Sequence, residues 1–292
     1  MYATIIGSSG FVGQFLKKKL LKQGKKVCEF DLKDGLDIRD YEDIRNFLDK
    51  YRPQEIYHLA AQAHVAESFK NPQRAFEINT IGSINLLEAV KNLDIVCKIQ
   101  MAGTSEEYGH GDNSEESNLT PQSPYAVSKI AMDYMGQLYT NAYKLHVVVT
   151  RAFNHTGAGR GEMYAESSWA KQIAEIEQGK RKSLWHGNLE SVRNFSDVRD
   201  IVRAYTMAIN LEPGVYNICS DNNLKMQEVL DILKSHAKVE IKTKFNKSLG
   251  RPSDFSFKPP SCDKFNKLSE WKPEIPIDKT FKDLLEHWRK NV

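Results

Sequence analysis

A Rossmann-type, doubly wound α/β fold around a buried parallel sheet is what the sequence predicts, from three observations. Short apolar runs alternate with longer amphipathic ones across the first half of the chain. The apolar runs are rich in Val and Ile with little polar alternation, as two-sided burial requires. The first of them leads through a glycine-rich turn into a helix.

Strands are read at ATIIG (3–7), KVCEFD (26–31), EIYHLAA (55–61), KIQMAG (98–103) and LHVVVTRAFN (145–154). Between them lie the helical patterns FVGQFLKKKLLKQ, closed by Gly24, then YEDIRNFLDKY and PQRAFEINTIGSINLLEAVKNL. A further helix is predicted to start at Ser123. After residue 155 the rhythm changes. A loop, TGAGRGEMY, precedes the helix ESSWAKQIAEIEQG, a strand at KSLWHG, a helix from about Ser196, the strand VYNICS (215–220), a helix near 226–237 and a last helix, DKTFKDLLEHWRK. LGRPSDFSFKPPS reads mostly as loop. The expected organisation is a dinucleotide-binding domain over 1–155, with returns near 190–220, and a smaller, interleaved substrate-binding region over 156–292.

At 292 residues, with 40% hydrophobic and 27% charged residues, the chain has the composition of an ordinary globular protein. A net charge of +3 gives no reason to expect nucleic acid as a partner. No apolar run reaches membrane-spanning length, and no secretion signal is read at the N-terminus. Cys28, Cys97, Cys219 and Cys262 are far apart, and the first three sit in strand-like contexts. They are expected to be core thiols in a reducing cytoplasm, and no histidine or cysteine spacing suggests a metal site.

In IIGSSGFVG, Gly7, Gly10 and Gly13 form a GxxGxxG pattern after a strand, with Phe11 and Val12 opening the helix. Glycines allow close backbone approach to a pyrophosphate, and the helix N-terminus supplies N–H donors. The alternative is a tight turn with no ligand. Asp31 ends the second strand, where a carboxylate can bind ribose hydroxyls and repel a 2′-phosphate, so NAD(H) is expected over NADP(H). Asp37 and Ile38 are placed beside the adenine. Leu59, Ala60 and Ala61, small or apolar at the end of the next strand, leave room for the cofactor.

SPYAVSK (123–129) is a helix start, with Ser as cap and Pro in the first turn. Tyr125 and Lys129 then share one face. Alone, this pair could be a surface pair. Thr104, in AGTSEEYG after another strand, sits where doubly wound sheets place ligands. With Tyr125 nearby, three groups would converge on one carbonyl or alcohol. Thr104 would bind the oxygen and Tyr125 would exchange its proton. Lys129 would lower the phenol pKa and bind the nicotinamide ribose.

Taken together, GxxGxxG, Thr104 and YxxxK in this order resemble the extended short-chain dehydrogenases/reductases. HLAAQAHVAESFKNP, INTIGSINLLEAV, TSEEYG, RAFNHTGAGRG, GNLESVRNFSDVRDIVRAY and RPSD narrow the resemblance to the GDP-4-keto-6-deoxy-D-mannose reductases and their relatives, the GDP-mannose 4,6-dehydratases. The resemblance implies a GDP-sugar substrate, reaction at hexose C4, a homodimer paired through helices, and Thr104, Tyr125 and Lys129 as the catalytic triad. It implies that Asn79 supports the active-site helix, that Asn154 faces the substrate, and that Lys171, Arg193 and Arg251 contact the nucleotide. Asn188, Ser253 and Asp254 are further candidates for guanine or ribose contacts. Glu106 stands where dehydratases carry the base that removes the C5 proton. Asn194 and Ala158 replace a common aspartate and a usual proline, and either change can reshape the sugar pocket for a bulkier substrate such as a heptose. Asp31 stands where many of the reductases accommodate a 2′-phosphate.

Three functions are weighed. The leading one is NAD(P)H-dependent reduction of a GDP-4-keto-6-deoxy-hexose, with Tyr125 as general acid. The second is NAD-dependent dehydration of GDP-mannose, or oxidation at C4 of a GDP-hexose or GDP-heptose. The third is a redox-sensing dinucleotide-binding module, against which the Tyr125–Lys129 pair argues, since a sensor needs no proton donor there.

Overall fold

The computed structural model describes residues 2–249 and 258–292. The chain forms two compact units: Met1–Ala152, Ile201–Ile218 and Ser261–Trp271 make the first, and Phe153–Asp200, Cys219–Pro260 and Lys272–Val292 the second.

In chain order the first unit opens with β1 (Tyr2–Ile6), α1 (Phe11–Lys22), β2 (Lys26–Phe30), α2 (Tyr41–Tyr51) and β3 (Glu55–His58). Two short helices follow, α3 (Val65–Lys70) and α4 (Pro72–Phe76). A π-helical stretch, Glu77–Ile81, then leads into α5 (Gly82–Asn92). Next come β4 (Lys98–Ala102), α6 (Pro124–Tyr143) and β5 (His146–Ala152). The second unit takes up β6 (Asn154–Thr156), α7 (Ala165–Glu177), β7 (Leu184–His186) and β8 (Val192–Asp197). Helix α8 (Val198–Ala208) carries the chain back to the first unit and β9 (Gly214–Ile218). Then follow β10 (Asn223–Lys225), α9 (Met226–Ser235), β11 (Thr243–Phe245), α10 (Asp263–Ser269) and α11 (Ile277–Arg289).

The first unit is a six-stranded, fully parallel sheet in the order β2-β1-β3-β4-β5-β9. Side chains alternate to opposite faces of each strand, so each face has its own core. One core packs Ile6, Ile56, Ile99, Met101, Val147 and Val149 with residues of α2, α5 and α6. The other packs Ala3, Ile5, Tyr57, Val148 and Ile218 with residues of α1, α8 and α10. Strand order reverses between β1 and β3. In such sheets ligands bind at the carboxyl ends of the strands beside that reversal.

In the second unit, β8 pairs antiparallel with β10 and parallel with β6, and β7 pairs with β11. Its core joins Trp169, Ile173, Phe195, Val229, Leu230, Phe281 and Leu284.

The structure corrects several expected boundaries. The run 145–154 breaks at Phe153 into β5 and β6. The helix expected from Ser196 starts at Val198, and residues 192–197 are a strand. The strand expected over 55–61 stops at His58, although Leu59 N–H still reaches Ile6 O at 2.9 Å. No helix among the described residues is long and apolar enough to cross a membrane.

Candidate active site

At the carboxyl end of β1 the chain turns at Gly7 with φ +88°, a conformation that favours glycine. A Cβ there would lie 2.7 Å from Ala60 N, and one on Gly13 would lie 2.4 Å from Gly7 O. The turn is thus compressed against the segment after β3 on one side and against α1 on the other. Gly10 caps α1 without a side-chain acceptor, and no acidic residue occupies the helix's first turn, where Phe11 and Val12 are half-buried. A backbone stripped of Cβ atoms beside a helix N-terminus fits a dinucleotide pyrophosphate. Leu59, Ala60 and Ala61 are half-buried beside this turn.

Asp31, buried just beyond β2, faces the same turn. Its Oδ2 accepts Ser9 N–H at 2.7 Å, and its Oδ1 accepts the Ser9 hydroxyl at 2.8 Å and Lys33 N–H at 3.0 Å. Burial pushes the carboxyl up, but these donors and the Lys33 charge outweigh it and hold the group below its ordinary range. An ionised carboxylate at this point fits the ribose of the cofactor. The Asp37 carboxylate takes Arg39 Nη2 at 2.5 Å and Nε at 3.0 Å, and this bond holds it below the usual range. Ile38 is a core residue: a Cβ on Gly82 would lie 2.8 Å from its Cγ2. An open hollow of about 450 Å³ is lined by Asp37, Arg39, Asp40, Glu77 and Ile81 and touches none of the catalytic candidates.

The chemical end is built from β4 and α6. Thr104, two residues past β4, caps a 3-10 turn over Ser105–Glu107. Its Oγ1 accepts Glu106 N–H at 3.3 Å, and its own N–H donates to Glu107 Oε1 at 2.8 Å. A hydroxyl that accepts from the backbone keeps its single proton for donation to a substrate oxygen. The side chain of Glu106 is half-buried on this turn.

Ser123 caps α6 by accepting Ala126 N–H, with Pro124 in the first turn. Tyr125 is 8% exposed and Lys129 3%. Lys129 Nζ donates to Ala102 O, the last residue of β4, at 2.7 Å. Burial lowers its pKa to about 8.

The turn between Tyr125 and Lys129 is clamped from outside the helix. Asn79, fully buried in the π-helical stretch, donates to Ser128 Oγ at 2.9 Å and to Gln62 O at 3.2 Å, and accepts Gln62 N–H at 2.8 Å. Ser128 Oγ in turn donates to Tyr125 O at 2.7 Å. Thr80 Oγ1 donates to Ser128 O at 3.0 Å, and Ser68 Oγ accepts Tyr125 N–H at 3.1 Å. Burial, then the charge of Lys129, lowers the pKa of His58 to about 3, so its ring is neutral. Ser83 spends its proton on Asn79 O at 2.6 Å, so His58 Nε2 donates to Ser83 Oγ at 2.7 Å.

In the second unit, Asn154 opens β6 opposite Phe195 of β8. Arg193, two residues earlier on β8, is buried, and its Nη1 donates to Val192 O at 2.8 Å. One sheet thus carries both. Lys171 on α7 is ion-paired with Glu162 and lies 5.4 Å over the Trp288 ring. Asn188 is exposed in the loop after β7 and accepts Glu190 N–H at 2.9 Å. Arg251, Ser253 and Asp254 lie outside the described residues. Asn194 is a structural residue. Its Nδ2 donates to Ser220 O at 2.6 Å and Asn223 Oδ1 at 2.9 Å, and its Oδ1 accepts Ser220 N–H at 3.2 Å. An aspartate could make neither donation, which gives the amide at this position a physical reason.

The family model for GDP-mannose 4,6 dehydratase matches residues 34–284. The chain belongs to the GDP-mannose 4,6-dehydratase family. Within this family of extended short-chain dehydrogenases/reductases, it is 29% identical to GDP-6-deoxy-D-mannose reductase of Pseudomonas aeruginosa, over 99% of this chain and 97% of that relative. It is also 29% identical to GDP-mannose 4,6 dehydratase 1 of Arabidopsis thaliana, over 86% of this chain and 72% of that relative. The structure of RMD from Pseudomonas aeruginosa complexed with NADPH superposes with a TM-score of 0.91 at 28% identity, covering 100% of this chain and 99% of the other. The Thermus thermophilus UDP-glucose 4-epimerase complex with NAD gives 0.88 at 26%, with both chains covered in full.

Sequence reasoning about this family member passed over Ser9, Ser68 and Glu107. Ser9 carries a usable signal, since it lies inside the glycine turn facing the acid at 31. Glu107 carries one too, as the last residue of a Thr-x-x-Glu capping box begun by Thr104, whereas Ser68 acts through a long-range backbone contact that leaves no local pattern.

Proposed function

We propose that this protein reduces the C4 ketone of a GDP-4-keto-6-deoxy-hexose, using NADH in preference to NADPH. The observation that carries this reading is the buried Lys129 ammonium, anchored on Ala102 O at the strand end that leads to Thr104, one helical turn beyond Tyr125 on the same face. The chain's match to 97% of the reductase's length, against 72% of the plant dehydratase's, favours reduction.

The glycine turn, the α1 N-terminus and Asp31 would hold the dinucleotide. When bound, its nicotinamide supplies a hydride equivalent to carbon. The protein's own residues handle the oxygen. The Thr104 hydroxyl donates a hydrogen bond to O4, and Tyr125 transfers its phenolic proton to that oxygen as negative charge develops there. The Lys129 ammonium and the N-terminus of α6 both favour the phenolate left behind. The preference for NADH rests on the Asp31 carboxylate, which would face a 2′-phosphate with like charge.

Arg193 is proposed to bind the GDP pyrophosphate, with Asn154 on the sugar and Lys171, Asn188, Arg251, Ser253 and Asp254 as further nucleotide contacts. Glu106 supports a second reading, dehydration of GDP-mannose, because a carboxylate beside Thr104 can take a proton from the neighbouring carbon. Incubation with GDP-mannose and with its 4-keto-6-deoxy derivative, each with NADH, separates the two by product mass. Gain of two hydrogens on the keto sugar supports reduction; loss of water from GDP-mannose overturns it.

The homodimer is proposed to form through α6. Val127, Tyr134 and Leu138 make an exposed stripe at i, i+7 and i+11, with Tyr134 55% exposed, whereas Met132 and Met135 pack into the protein's own core. Sedimentation of wild type and Tyr134→Glu tests this: a dimer that the variant splits supports it, and a monomeric wild type refutes it.

A further inference from the structure

The chemistry proposed above leaves unused a buried charged cluster directly behind Thr104. Glu107 and Asp133 are fully buried and Arg151 is 3% exposed. Arg151 Nε lies 2.8 Å from Asp133 Oδ2 and 3.1 Å from Glu107 Oε2. One Nε–H has one proton to give, and it makes its hydrogen bond to Asp133. The Arg151 Nη1 is directed to the Tyr108 hydroxyl at 3.1 Å, which itself donates to Asn217 Oδ1 at 2.7 Å. Two carboxyl groups therefore meet over a single N–H. Burial first, then the charge of Asp133, push the Glu107 carboxyl well above the ordinary carboxylate range, with Arg151 opposing. A neutral Glu107 can donate its proton to Asp133 while its other oxygen accepts the N–H of Thr104 at 2.8 Å.

The placement of this cluster matters. Tyr125, Lys129 and Asp133 are spaced four residues apart and share one face of α6. Glu107 touches the last of the three and the backbone of Thr104. Its site is also tightly fitted: a Cβ on Gly103 would lie 3.0 Å from Glu107 Oε1 and 3.2 Å from Thr150 O.

We propose that Glu107 is a positioning residue for the reductase reaction, its carboxyl fixing the Thr104 turn to the helix that carries Tyr125 and Lys129. This rests on the reading that Thr104 orients the reacting oxygen. Glu107 touches neither sugar nor cofactor in this role. It sets where the Thr104 hydroxyl stands relative to the phenol, and misplacement by about 1 Å costs on the order of 100-fold in rate.

Three variants test it. In Glu107→Gln the amide oxygen accepts from Thr104 and the NH₂ donates to Asp133, so kcat stays within about threefold of wild type. Glu107→Leu keeps the volume and loses the acceptor, so kcat falls about 10- to 100-fold while KM for NADH and for the keto sugar changes little. Gly103→Ala, which crowds Oε1, shifts kcat in the same direction. Folding of each is checked by circular dichroism. Hydrogen exchange at the Thr104 amide in the cofactor-free protein gives a readout that needs no turnover: slow in wild type and Glu107→Gln, faster by about tenfold or more in Glu107→Leu. The proposal is overturned by a folded Glu107→Leu with wild-type kcat and slow Thr104 exchange. It is equally overturned by a folded Glu107→Gln as impaired as the leucine variant. Tyr125→Phe is assayed in parallel. If that variant turns over normally, the reading of the active site fails; if it is inactive and Glu107→Leu is unaffected, only the role of Glu107 fails.

Discussion

The buried ammonium of Lys129 makes a prediction that sets stability against activity. Its pKa falls from an ordinary 10.5 to about 8 on burial. At about 1.4 kcal/mol per pH unit, keeping it charged at pH 7 costs the folded protein about 3 kcal/mol. Lys129→Met keeps the apolar stem and removes the charge. It also removes the donor to Ala102 O, and an unpaired buried carbonyl costs about 1–2 kcal/mol. The variant is therefore expected to be about 1–2 kcal/mol more stable at pH 7, with a Tm higher by about 2–4 °C for a chain of this size. Between pH 8 and pH 10.5 the unfolded lysine holds a proton that the folded one has released, so wild-type stability rises with pH across that window. The advantage of the methionine variant should accordingly shrink by pH 10. Turnover should fall about 100-fold or more, because the phenolate loses its cation. Thermal unfolding of the cofactor-free proteins at pH 7 and pH 10 checks both signs. A variant less stable than wild type at pH 7, or a difference that ignores pH, would refute the argument.

Other expectations follow from the same geometry. In the reducing direction kcat/KM should decline as pH rises past about 8, where the free enzyme loses the Lys129 ammonium; a flat profile to pH 9.5 contradicts that assignment. Asp31→Asn removes the charge facing the ribose while leaving an acceptor for Ser9, and should raise the NADPH-to-NADH ratio of kcat/KM by about 10-fold or more; an unchanged ratio rejects the role of Asp31. Asn194→Asp exchanges two buried donations for a carboxylate set against Ser220 O and Asn223 Oδ1, and should lower stability by about 2–4 kcal/mol in denaturant unfolding, with no loss meaning that the loop rearranges at little cost.

The parallel sheet and its motifs were legible because their signals are local. β-Branched runs mark strands buried on both faces, glycines mark the turn after β1, and Ser-Pro marks the start of α6. Strand β8 was not, because Arg193, Asn194, Ser196 and Asp197 are polar and buried together. Their partners, such as Ser220 for Asn194 and Thr280 for Asp197, lie far along the chain. Ser196 and Asp197 look locally like a helix cap, which moved the predicted helix start two residues early. The run 72–93 reads as one helix, and nothing in its pattern reveals the π-helical turn at Glu77–Ile81 that brings Asn79 inward. The Thr-x-x-Glu spacing of Thr104 and Glu107 is a local capping signal, but nothing local shows that Glu107 is sealed behind Thr104 beside Asp133 and Arg151.

Asn79 gives the sharpest test of whether this surrounding framework serves catalysis or only folding. It holds the first turn of α6 by one bond to Ser128 and holds the segment after β3 by two bonds to Gln62. Asn79→Ala deletes three buried hydrogen bonds, a loss of about 3 kcal/mol at about 1 kcal/mol each. A purely structural residue would show that loss in unfolding and leave kcat alone. Ser128, however, sits between Tyr125 and Lys129, and its hydroxyl closes on Tyr125 O, so loosening it moves both groups. Ser128→Ala separates the two effects. Both bonds between Asn79 and Gln62 remain, so most of the stability is kept. The hydroxyl that links Asn79 to Tyr125 O is gone. The Ser128→Ala variant is expected to unfold closer to wild type than Asn79→Ala yet to lose kcat about as much, by roughly 10-fold. If kcat instead follows stability across the pair, Asn79 supports the fold and the catalytic turn needs no clamp.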